Sequence, residues 1–110
     1  MSANAFTPRG NSAVLSVTST STATPIQVKG TNNASTQREF YNAGPNDCWY
    51  AWGNDGTVVA VAPTAGSPAN GIPIPAGAVI IHSLPPNAYI AAITLSTQTA
   101  SLYITPGEGT

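Results

Sequence analysis

The sequence predicts an all-β protein: a single-domain β-sandwich, jelly-roll-like, with eight or nine short antiparallel strands. Three observations predict it. Short apolar runs rich in β-branched and aromatic residues recur along the chain with turn residues between them. The ten Gly and ten Pro among 110 residues are dispersed between those runs, so they punctuate turns. Apolar spacing of three and four is sustained nowhere, so no helix competes. A chain of this length holds one core. Pattern alone leaves a jelly roll and an immunoglobulin-like sandwich both open. The Cys…Trp…Cys signature of the latter is absent, since Cys48 is the one cysteine.

Residues 1–12 are polar, with Pro8 and Gly10, and read as a flexible N-terminal arm ahead of a sandwich at 13–105; residues 106–110 read as a tail. Val14-Leu15-Ser16-Val17-Thr18 alternates and is the first strand. A Ser/Thr tract follows at 19–24, and Pro25 opens Ile26-Gln27-Val28-Lys29. After a Thr/Asn/Gly loop, residues 37–42 make a third strand, and Asn42-Ala43-Gly44-Pro45-Asn46-Asp47 is a dense turn signal. Residues 48–52 return at once. Asn54-Asp55-Gly56 suits a type I′ turn leading into Val58-Val59-Ala60-Val61. The span 37–61 is therefore expected to be a three-stranded meander. Residues 63–71 form a long loop. Ile72-Pro73-Ile74-Pro75 pairs only as an edge strand, because Pro has no amide proton. Strands at 79–82, 89–95 and 100–104 complete the fold, with polar or Pro-containing turns between them.

Only seven side chains carry a formal charge, and the net charge is −1. Soluble domains usually draw about a quarter of their residues from Asp, Glu, Lys and Arg. So neutral a surface has no footprint for nucleic acid and no means of steering charged ligands. It suits a protein that lies against other proteins whatever the salt. Cys48 has no partner for an internal disulfide. The opening Met1-Ser2-Ala3-Asn4 lacks the basic and apolar parts of a signal peptide, and no apolar run approaches the roughly 20 residues of a membrane span. No membrane association is expected.

Catalysis needs a nucleophile or metal and a group that moves protons. His82 is the single histidine, and the acids are Glu39, Asp47, Asp55 and Glu108. A Cys48–His82–Asp constellation can be drawn, but Cys48 opens an aromatic strand, where a small packed side chain is the simpler reading. The nitrogen and sulfur donors are too few for zinc. The chain is expected not to be an enzyme and to use no cofactor and no metal.

The densest feature is aromatic: Phe40, Tyr41, Trp49, Tyr50 and Trp52 fall within 13 residues. Strand alternation puts Tyr50 and Trp52 on one face and Trp49 on the other. One face must be core, and the other carries an exposed aromatic of the kind that anchors interfaces or stacks on sugars. These five residues and Arg38 are the candidate interface; Arg38 and its neighbour Glu39 each meet solvent or another subunit on this reading.

Ile72-Pro73-Ile74-Pro75-Ala76-Gly77-Ala78-Val79, Tyr89-Ile90-Ala91-Ala92-Ile93-Thr94 and Ala100-Ser101-Leu102-Tyr103-Ile104-Thr105-Pro106-Gly107-Glu108-Gly109 resemble small structural proteins of tailed bacteriophages. Phe40-Tyr41-Asn42-Ala43-Gly44, followed by an aromatic strand and Asn54-Asp55-Gly56, is similar to the same group. The resemblance spans about residues 13–109 and includes capsid decoration, or cement, proteins. It implies a β-sandwich made in the bacterial host cytoplasm that sits on the outer capsid surface of the virion as a homotrimer. There it would bridge subunits of the major capsid protein. It carries over no site residues. The alternative is a carbohydrate-binding or receptor-recognition module of a tail or fibre, using Trp49, Tyr50 or Trp52.

Overall fold

The computed structural model describes residues 6–29 and 36–109. Among these residues nine strands appear: β1 (Thr7–Pro8), β2 (Ala13–Val17), β3 (Ile26–Gln27), β4 (Gln37–Pro45), β5 (Cys48–Gly53), β6 (Ile72–Ile74), β7 (Val79–Ser83), β8 (Tyr89–Ile93) and β9 (Ala100–Glu108). There is no helix among the described residues. The strands form two antiparallel sheets. The first runs β2-β9-β4-β7, with β1 continuing the line of β2 along the same edge of β9; the second runs β3-β8-β5-β6.

The pairs β2–β9, β3–β8, β4–β7 and β5–β6 are nested and alternate between the sheets. This is one long hairpin rolled into a sandwich, the jelly-roll arrangement. It selects the jelly roll from the two sandwiches the sequence left open.

Period-two alternation explains the core. Leu15 and Val17 of β2, Phe40 of β4, Cys48 and Tyr50 of β5, Ile74 of β6, Ile90 and Ala92 of β8, and Leu102 and Ile104 of β9 all face inward and are buried. Two polar side chains tie the sheets together from within. Arg38 donates from Nε to Val28 O at 2.8 Å, from Nη1 to Gln37 O at 3.1 Å, and from Nη2 to Pro85 O and Pro86 O at 3.2 and 3.0 Å. Asn42 donates from Nδ2 to Asn46 O and Ile74 O, both at 2.9 Å, and its Oδ1 accepts from Gly44 N at 2.8 Å. Each supplies partners to carbonyls that would otherwise be stranded at a corner.

The structure departs from the expected meander in two places. Residues 37–45 and 48–53 do not pair with each other; β4 and β5 lie in different sheets. The turn between them is a corner, with Gly44 at φ +86°, a cis Gly44–Pro45 bond, and Asn42 holding its backbone. Only glycine takes that φ without strain. Residues 58–61 form no strand. Both edges of β5 are already occupied, by β8 and β6. The apolar run instead folds over the outer face of the second sheet, where Val58 and Ala60 pack on Ala51, Ala91 and Ile93. Asp55 Oδ1 accepts from Thr57 N at 3.0 Å, so Asn54-Asp55-Gly56 starts a local turn rather than a two-residue hairpin. Asn70 closes the strap, accepting from Val61 N and donating to Val59 O.

Pairing also reaches past both ends of the 13–105 span. Phe6 is buried, Thr7 and Pro8 pair with Glu108 and Gly107, and Arg9 Nε lies 3.1 Å from Glu108 Oε2. Residues 106–108, read as tail, are the last part of β9. Residues 1–5 of the expected arm, and residue 110, lie outside the described residues.

Candidate functional site

Register places outward-facing residues of neighbouring strands side by side. On the outer face of the first sheet, Val14 lies opposite Tyr103, Tyr103 opposite Tyr41, and Tyr41 opposite Val79. These four make a straight row across all four strands, β2, β9, β4 and β7. Their exposures are 54, 43, 42 and 58%. The two tyrosine rings stack, with centroids 6.1 Å apart and planes 28° apart. The adjacent row carries Thr105, Glu39 and Ile81, with Ser12 Oγ hydrogen-bonded to Thr105 Oγ1 at 2.7 Å. Glu39 is the one charge in either row.

The two outer faces thus differ. The 58–61 strap covers part of the second sheet, whereas the first sheet presents an aromatic and valine stripe to solvent. A flat, uncharged stripe of this kind fits a protein surface, where Tyr anchors are enriched and charged residues depleted.

Of the six candidate interface residues, Tyr41 alone lies in this row. Trp52 is 39% exposed near the end of β5, and Trp49 is half-buried on the outer face of the second sheet. Phe40 and Tyr50 are core residues, their rings stacked at 4.1 Å between centroids. As core, they offer no surface within the single chain. Arg38 is fully buried and so does not meet solvent. Sequence reasoning missed Val14, Val79 and Tyr103. The signal that finds Tyr103 is the alternation of Leu102 and Ile104 around it, which puts one tyrosine outward between two core residues.

The groups considered for catalysis are engaged in packing. Tyr50 Oη and His82 Nδ1 share a hydrogen bond of 2.5 Å that spans the two sheets. Burial raises the Tyr50 phenol above its usual range and lowers the His82 imidazolium below its own. Both groups are therefore neutral at pH 7. Cys48 is buried with Asn42 Nδ2 3.6 Å from its Sγ, and burial, with the nearby Asp47 carboxylate second, pushes its thiol up to about 11. That thiol is a poor nucleophile at neutral pH. Among the described residues no three of His, Cys, Asp and Glu come together as metal ligands.

A smaller feature lies where the β4–β5 and β8–β9 turns meet. There Pro45, Asn46, Asp47, Trp49, Leu95 and Gln98 line an open pocket of about 200 Å³. A larger cleft of about 430 Å³ between residues 10–14 and 26–29 has no aromatic wall and a single charge, Lys29.

Comparison with known proteins finds no matching family model, no matching curated sequence and no matching solved structure.

Proposed function

We propose that this chain is a non-enzymatic structural protein of a virion. It decorates the mature capsid of a tailed phage and stabilises it by bridging neighbouring major capsid protein subunits. One observation carries the reading: the exposed Val14–Tyr103–Tyr41–Val79 row on an almost uncharged sheet face. The phage-like phrases at residues 40–44, 72–79 and 100–109 supply the partner, and the jelly roll supplies a rigid platform for the row.

The physics of such a clamp is apolar burial. Covering the row removes its apolar area from water at about 25 cal/mol per Å². Ordering and orientation costs offset much of that, so a single copy binds weakly. Three copies grouped as a homotrimer at threefold or quasi-threefold positions engage several capsid subunits at once, and avidity supplies the rest. Pressure from packaged genome is then resisted by contacts added across the joints between capsomers.

Copy number tests the reading. Quantitative mass spectrometry of purified particles, referred to the major capsid protein, is expected to find hundreds of copies per particle. A handful would move the chain to a tail, fibre or vertex, and none would sink the structural reading. The row is tested separately. Tyr41→Ser with Tyr103→Ser is expected to abolish rebinding to heads while the melting temperature stays near that of the parent, because both side chains are about half exposed.

A further inference from the structure

We infer that the pocket beside Trp49 is a binding site for an uncharged sugar residue. The pocket stands at one end of the sandwich, where two connections cross between the sheets. The β4–β5 turn brings Pro45, Asn46 and Asp47; the β8–β9 turn brings Leu95 and Gln98. Trp49 is outward-facing on β5, with opposite parity to the buried Cys48 and Tyr50. Its indole forms an apolar wall on the second sheet, away from the tyrosine row.

The polar groups are pre-set by the main chain. Asp47 Oδ1 accepts from Ala76 N at 2.9 Å, and Asn46 Oδ1 accepts from Thr99 N at 3.2 Å. Those two bonds anchor one atom of each side chain and leave Asp47 Oδ2 and Asn46 Nδ2 with no hydrogen-bond partner among the described residues. Gln98 adds a carboxamide, a donor and an acceptor together. A carboxylate, two carboxamides and an indole around about 200 Å³ match a pyranose ring. Its vicinal hydroxyls both donate and accept, and its C–H face is apolar. The Asp47 carboxylate disfavours anionic sugars, since like charges at contact repel. A lone cation is a poorer fit, because the pocket holds one carboxylate.

The pocket is small and open, so one copy binds weakly. If the docking role holds, many copies on one particle present the site outward together, and only that gain rests on the docking role.

The test uses the full chain and a panel of methyl glycosides: glucose, galactose, mannose, rhamnose, N-acetylglucosamine and N-acetylgalactosamine. Saturation-transfer NMR is run on the unaltered protein. Tryptophan fluorescence is run in a Trp52→Phe background, so that Trp49 alone reports. At least one neutral glycoside is expected to saturate and to shift Trp49 emission. Asp47→Asn keeps the acceptor for Ala76 N yet loses a charged acceptor, and is expected to weaken binding about tenfold or more. Gln98→Ala is expected to weaken it as well, with thermal midpoints unchanged, and the matching glucuronide is expected to bind less tightly. Absence of saturation by every neutral glycoside overturns the site. So does unchanged affinity in both variants. Neither result touches particle copy number, so the site and the docking role fail independently.

Discussion

His82 packs between the sheets, in hydrogen-bond contact with Tyr50 and near the Phe40 ring. Burial lowers its pKa in the folded protein below the 6.5 of a free side chain. The unfolded chain therefore binds the proton more readily. Stability is full above about pH 6.5 and is lost as pH falls toward the folded value. Because His82 is the single histidine, the loss of stability just below pH 6.5 is assigned to this ring. Urea midpoints are expected to fall across that window in the parent and to stay nearly flat in His82→Gln. A parent that is equally stable at pH 5 and 7 would contradict the burial of the ring. Arg38 was the residue least legible in advance. Its neighbours Glu39 and Tyr41 face outward, and alternation alone puts Arg38 on the inner face with Phe40. Nothing in the sequence announces the carbonyls of Val28, Pro85 and Pro86 that make such burial tolerable.

Strands defined by alternation were legible, and those defined by tertiary space were not. Residues 14–17, 79–82 and 100–104 match β2, β7 and β9 because β-branched and aromatic residues recur there with a period of two. Residues 58–61 share that chemistry, yet they form the strap over Ala51 and Ala91 because no sheet edge is open beside β5. Their valines alternate as a strand's do, and only the pairing of β5 with β8, far along the chain, decides the matter. The β1 strap shows another kind of closeness. A Cβ added at Gly107 would lie 2.3 Å from Phe6 Cζ and 2.5 Å from Thr7 O. Gly107→Ala is therefore expected to displace residues 6–8 from β9. Amide exchange should rise at Thr7 and Arg9, while β4 and β8 keep their protection. Unaltered exchange at residues 6–9 would mean that the strap is not held by this contact.

The whole molecule has three cationic and four anionic side chains, and one pair of them, Arg9 and Glu108, is joined at one end of the sandwich. An association driven by the tyrosine row should therefore be almost indifferent to salt, since there is little charge to screen. Binding to heads is expected to change less than about threefold between 50 mM and 500 mM NaCl; a steep decline would place the contact on charged groups instead. The sandwich and its single core were legible from strand spacing. The exposed row proposed for docking was half legible, because Tyr41 stands in a conspicuous aromatic cluster while Val14, Tyr103 and Val79 join it only through register.

The nested pairing also orders events in time. β9 is the last strand along the chain and the middle of its sheet, flanked by β2 on one side and β4 on the other. Until β9 has left the ribosome, β2 has no partner in its own sheet and β4 has only β7. The first sheet therefore cannot close before β9 is available, and its assembly is dominated by non-local pairing, which is slow. Nascent chains expose open strand edges throughout that interval. Chains in which β9 has yet to pair should thus be the species most prone to aggregate.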